Sequence, residues 1–111
     1  MATTGIIASA AQGRTVSGVS GNGTEYKGYV EGGINALSCW GATHTTRVGG
    51  DEDVRAYVEI VNANGYRIGS GQAGTGASSA YSGTITQRGG ENAYGSCGTA
   101  SGSGSTFTRL Y

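Results

Sequence analysis

The 111-residue sequence contains no proline, and only one lysine, one tryptophan, one phenylalanine and one histidine. No apolar run approaches the roughly 20 residues of a helical membrane span, so no such span is expected. Charge of either sign is scarce and balanced: seven basic against seven acidic residues, net zero. A general nucleic-acid binder carries a basic face that displaces phosphate counterions, so nucleic acid is not an expected partner. Lys27 is the single lysine, which also leaves no polybasic patch for a membrane surface. A G-x-S-x-G nucleophile motif is absent, and no cofactor or metal motif stands out. The expectation is a protein without catalytic activity, cofactor or bound metal.

What the chain has instead is glycine, 23 residues of it, with 36% hydrophobic residues. The side-chain core must be thin, and 111 residues suffice for one domain, residues 1–111. Cys39 and Cys97, the only cysteines, read as one disulfide in a small Gly/Ser/Thr-rich chain, which implies an oxidising compartment. The alternative is a pair of buried thiols. Ala8-Ser9-Ala10 has the small residues of an export cleavage site, but Ile6-Ile7-Ala8 is too short for the apolar part of a signal. A signal already removed is the preferred reading, with localisation secreted or at an extracellular surface.

The strongest secondary-structure signal is DVRAYVEIVNANGYRIGSG, Asp53 to Gly71. Val54, Ala56, Val58 and Ile60 alternate with Arg55, Tyr57, Glu59 and Val61, the period of a strand with one buried face. Asn62 to Gly65 then supplies a hairpin turn, and Tyr66 to Gly69 can return as the paired strand. Further strand candidates are residues 2–11, 14–20, 24–30, 34–48, 80–88, 93–99 and 106–111, with Gly32-Gly33 ending one and residues 69–79 read as a flexible loop. No stretch sustains a helical apolar period. The expected fold is an all-β, single-domain antiparallel β-sandwich or small barrel of about seven to nine short strands, tied by one disulfide.

Each possible site has a plain structural alternative. His44 has no activated nucleophile or orienting acid in a recognisable pattern, which favours a solvated strand residue. Asp51, Glu52 and Asp53 could offer oxygens to calcium, but three consecutive acids point apart and do not reproduce a calcium loop. Trp40, Tyr29 and Tyr57 fall opposite the expected core positions of their strands. They form either a second packed layer or an exposed row of the kind that binds sugars and protein partners. Ile6 and Ile7, adjacent in sequence, place an apolar side chain on each face of a terminal strand. That segment is therefore expected to pair within the sheet or with another copy.

The strand followed by Asn-Ala-Asn-Gly, Tyr-Arg-Ile-Gly-Ser-Gly, the AYGSCG segment and the final aromatic strand resembles small secreted bacterial Gly-rich β-proteins of unknown function. The resemblance covers residues 24–111, transfers no functional residues, and implies export. Two functional classes lead. One is a structural subunit that self-associates through β-edges at a cell or particle surface, hence a homo-oligomer. The other is a monomeric module that binds a glycan or protein ligand through Trp40 and nearby Tyr. A small secreted toxin or inhibitor stands third.

Overall fold

Alternation of side chains along the chain is the organising fact of the fold. Val54, Ala56, Val58 and Ile60 are fully buried, while Arg55, Tyr57 and Glu59 between them stay half-exposed. The computed structural model describes residues 10–111 and, within them, ten strands. These are β1 (Ala11–Gln12), β2 (Val16–Val19), β3 (Glu25–Ile34), β4 (Ser38–Gly49) and β5 (Val54–Val61). They continue with β6 (Arg67–Gly76), β7 (Ser79–Tyr81), β8 (Ile85–Arg88), β9 (Asn92–Thr99) and β10 (Ser105–Arg109). The protein is all-β, and every pairing among the described strands is antiparallel.

The strands form two sheets packed face to face. The first runs β10-β9-β5-β6. In the second, β3 and β4 form the centre; β1 and β2 follow one another along the outer side of β3, and β7 and β8 along that of β4. Between the sheets lies a core in two pools. Val30, Cys39, Val58, Ile60, Ala93 and Leu110 fill one, and Tyr26, Val54, Ala56, Ala80 and Cys97 the other. Most of these side chains are small, so neither pool is deep, in keeping with the glycine content.

Cys39 and Cys97 are both buried and both free. This corrects the disulfide expected from sequence. The Cys97 thiol lies 3.6 Å from the carbonyl oxygen of His44, whereas the Cys39 thiol lies 3.8 Å from that of Trp40. Those carbonyls are four residues apart on one extended strand, about 13 Å. Even with both sulfurs leaning inward, they cannot reach the roughly 2 Å of a disulfide bond. Each thiol instead fills a different core pool, and the inference of an oxidising compartment loses its main footing.

Residues 69–79 are not a loop. Most of them belong to β6, whose backbone pairs with β5 from Val61↔Arg67 to Val54↔Gly76. The strand starts where the hairpin return was expected, but ladder bonds carry it on to Gly76 with almost no side chain buried, which is why the apolar pattern does not reveal its length. Glycine here is a requirement of packing: a Cβ on Gly74 would sit 2.0 Å from the Tyr81 carbonyl oxygen, and one on Gly76 1.9 Å from that of Ser79. The two sheets thus meet backbone to backbone along this margin. At the other margin Gly13 backs onto the carbonyl of Arg109 in the same way.

Two further boundaries differ from the sequence reading. Gly32-Gly33 does not end its strand; Gly32 pairs with Gly41 and Gly33 with Trp40, and β3 continues to Ile34. The break falls at Asn35, whose side-chain oxygen accepts the N–H groups of Leu37 and Ser38 at 3.0 and 2.9 Å. The central hairpin turns as expected, with Gly65 at φ 84° and the Asn62 side chain accepting from the Asn64 and Tyr66 amides. Among the described residues no helix is long and apolar enough to cross a membrane.

Candidate binding face

The outer face of the β3–β4 sheet gathers the aromatic residues that its alternation turns away from the core. Register places Tyr29 of β3 opposite His44 of β4, and His44 opposite Tyr81 of β7. Neighbouring strands lie about 4.8 Å apart, so side chains in register can stack. They do: the Tyr29 and His44 rings are 4.9 Å apart at 20°, and the His44 and Tyr81 rings 4.8 Å apart at 36°. One imidazole is therefore sandwiched between two phenols, one ring per strand.

Glu31 stands two residues along β3 from Tyr29 and so on the same face. Its carboxylate accepts a hydrogen bond from Nε2 of His44. This contact corrects the picture of a histidine without a partner. The acid lies thirteen residues upstream, and only the β3–β4 register brings it diagonally across the ladder. The bond orients the ring and assigns the Nε2 proton. Trp40 follows on the same face of β4, opposite Gly33 on one side and Thr86 on the other. Gly33 places no side chain beside the indole, and Ala42, between Trp40 and His44, is fully covered. Trp40 and Tyr29 are half-buried, while Tyr81 is 50% exposed and its hydroxyl pairs with that of Thr84 at 2.9 Å.

Both edges of this sheet are interrupted beside the aromatic row. On one side β1 and β2 part at residues 13–15, where the Gly13 amide donates to the Val30 carbonyl at 2.8 Å. On the other, β7 and β8 part at residues 82–84, and Ser82 ties both its amide and its hydroxyl to the Thr43 backbone. Such irregularities bend a sheet locally and re-aim side chains, and they concentrate near sites.

No family model matches this chain, and comparisons with curated proteins and with solved structures found no match. The site therefore stands on its own geometry.

The remaining candidates separate. Tyr57 belongs to the outer face of the other sheet, away from Trp40 and Tyr29. Its hydroxyl donates to Glu59 at 2.9 Å, and the Arg55 guanidinium lies 5.5 Å from its ring centre. Ile6 and Ile7 lie outside the described residues. Glu52, considered above as a calcium ligand, is occupied by hydroxyls. Ser20, Ser101 and Ser103 donate to its carboxylate at 2.5, 2.6 and 3.0 Å, and Asn22 at 3.3 Å. The bond from Ser101, then that from Ser20, holds this carboxyl down at about 2 against an ordinary 4.5. It staples the β2–β3, β4–β5 and β9–β10 turns together. Asp51 and Asp53 are exposed, and among the described residues no three His, Cys, Asp or Glu side chains converge to hold a metal.

Proposed function

We propose that this protein is a non-catalytic binding module that takes a glycan on the outer face of the β3–β4 sheet. The observation that carries the reading is the Tyr29–His44–Tyr81 stack, with Glu31 fixed against the imidazole and Trp40 farther along the same face of β4. Rings contribute large contact area at low entropic cost, and a carboxylate and an imidazole among them supply acceptors and donors for hydroxyl groups. Mutual stacking holds the rings before a ligand arrives, so little ordering is needed on binding. The bulged edges flank the platform. A position at a cell exterior is part of this proposal.

A glycan array read with the intact protein tests the reading, with Trp40→Ala and Tyr81→Ala as comparisons. Specific binding that both substitutions abolish supports it. Binding that survives both, or no binding to any glycan class, overturns it.

Self-association through β-edges is the second reading. It is favoured by apolar side chains left in solvent: Tyr66 is 71% exposed, Val19 66% and Leu37 60%. Against it, the outer strands of the β5–β9 sheet are backed by chain from the other sheet at Gly13, Gly74 and Gly76. Light scattering across a concentration series separates the two, since a stable monomer removes the subunit reading.

A further inference from the structure

The margin where β10 meets the β1–β2 connection holds an open groove of about 640 Å³, distinct from the aromatic face. Its walls include Arg14, Val16, Tyr94, Phe107, Arg109 and Tyr111. The volume falls within the roughly 300–1,000 Å³ of small-ligand clefts. Two features of its lining point to an occupant. Phe107 is 78% exposed, the most exposed large apolar side chain among the described residues, so its ring has almost nothing over it. Arg14 and Arg109 are also exposed, and neither guanidinium has a hydrogen-bond or ion-pair partner among the described residues. No side chain lining the groove is acidic.

The backbone beneath these groups is well tied. Arg109 faces Tyr94 and Phe107 faces Ser96 in the β9–β10 register. Across the groove, the Arg14 carbonyl accepts the Thr108 hydroxyl at 2.7 Å. Arg109 and Phe107 thus share one face of β10 beside Tyr94, and Arg14 reaches the groove from the β1–β2 connection of the other sheet. Arginine's planar fork suits a carboxylate, and a cation pair with no protein partner favours an anion from outside.

We propose that this groove binds an acidic saccharide, a uronate-bearing oligosaccharide whose carboxylate is held by Arg14 and Arg109 and whose ring lies on Phe107 and Tyr94. A peptide added as a strand fits less well, because Gly13 already covers the Arg109 carbonyl on the outer side of β10. A nucleic acid fits less well because the chain's net charge is zero, which gives a polyphosphate no long-range attraction.

The proposal does not depend on the aromatic face, and its test uses different residues. Calorimetric titration of the intact protein is run with trigalacturonate, with the neutral trisaccharide maltotriose, and with a short oligothymidylate. Trigalacturonate is expected to bind with an affinity that falls as salt rises. Arg14→Gln and Arg109→Gln should each weaken it about tenfold, and Phe107→Ala should weaken it as well. Thr75→Ala, exposed on β6 at the opposite margin of that sheet, should leave it unchanged. Thermal melts establish that each variant is folded; if Arg109→Gln is not, Arg14→Gln carries the charge test alone. Equal binding of maltotriose, tighter binding of oligothymidylate, or no binding of trigalacturonate overturns the assignment.

Discussion

Reducing conditions should leave this protein's stability unchanged. Had Cys39 and Cys97 been bridged, the bond would close a loop of about 60 residues and restrict the unfolded chain, a stabilisation of about 4 kcal/mol. For a domain of this size about 1 kcal/mol moves the melting temperature by roughly 4–8 °C, so breaking the bridge would lower it by at least about 15 °C. The free, separately buried thiols give no such term, and melts with and without a phosphine reductant should coincide. Thiol titration gives a second readout. Burial, helped by the negative charge of Glu91, pushes the Cys39 thiol up to about 11, and burial also raises Cys97. At pH 8 about one Cys39 in a thousand is then ionised, so an alkylating reagent should react slowly with folded protein. Denaturant should expose two thiols per chain at once. Protein from an oxidising host that shows no titratable thiol when unfolded, or that melts much lower with reductant, would refute the separation of the two sulfurs.

Other outcomes follow from the same geometry. Glu52 has a folded pKa of about 2, below the ordinary 4.5, so its contribution to stability is complete above about 4.5 and lost as pH falls towards 2. Glu52→Gln should flatten the acid limb of stability in that window, as followed by melts against pH. Ile60, fully buried between the sheets, should destabilise by about 2–5 kcal/mol as Ile60→Ala and by about 1 kcal/mol as Ile60→Val, measured by urea unfolding. Gly74→Val should lower the melting temperature sharply, because its Cβ would lie 2.0 Å from the Tyr81 carbonyl oxygen; wild-type stability would show that the two margins are not in contact. His44→Ala should preserve the fold yet weaken glycan binding, since it removes the middle ring of the stack; unchanged binding would detach His44 from the site.

Local alternation was enough to determine the fold class, the central hairpin and the faces of its strands. Val54, Ala56, Val58 and Ile60 are buried because the side-chain period of a strand is two, and that period can be read without knowing any partner strand. The Asn62 to Gly65 turn was legible for the same reason, being a property of four consecutive residues. Tertiary structure alone decided the rest. The far half of β6, from residue 70 to Gly76, escaped detection because its order comes from ladder bonds to β5, with little side-chain burial to leave a pattern. The cysteines suggested a bond that register forbids, since Cys97 sits against β4 four to five residues beyond Cys39. The Glu31–His44 contact and the Tyr29–His44–Tyr81 stack also depend on which residues face one another across strands. Alternation tells a side chain which face it occupies, but only the pairing of strands tells it which neighbours it meets there.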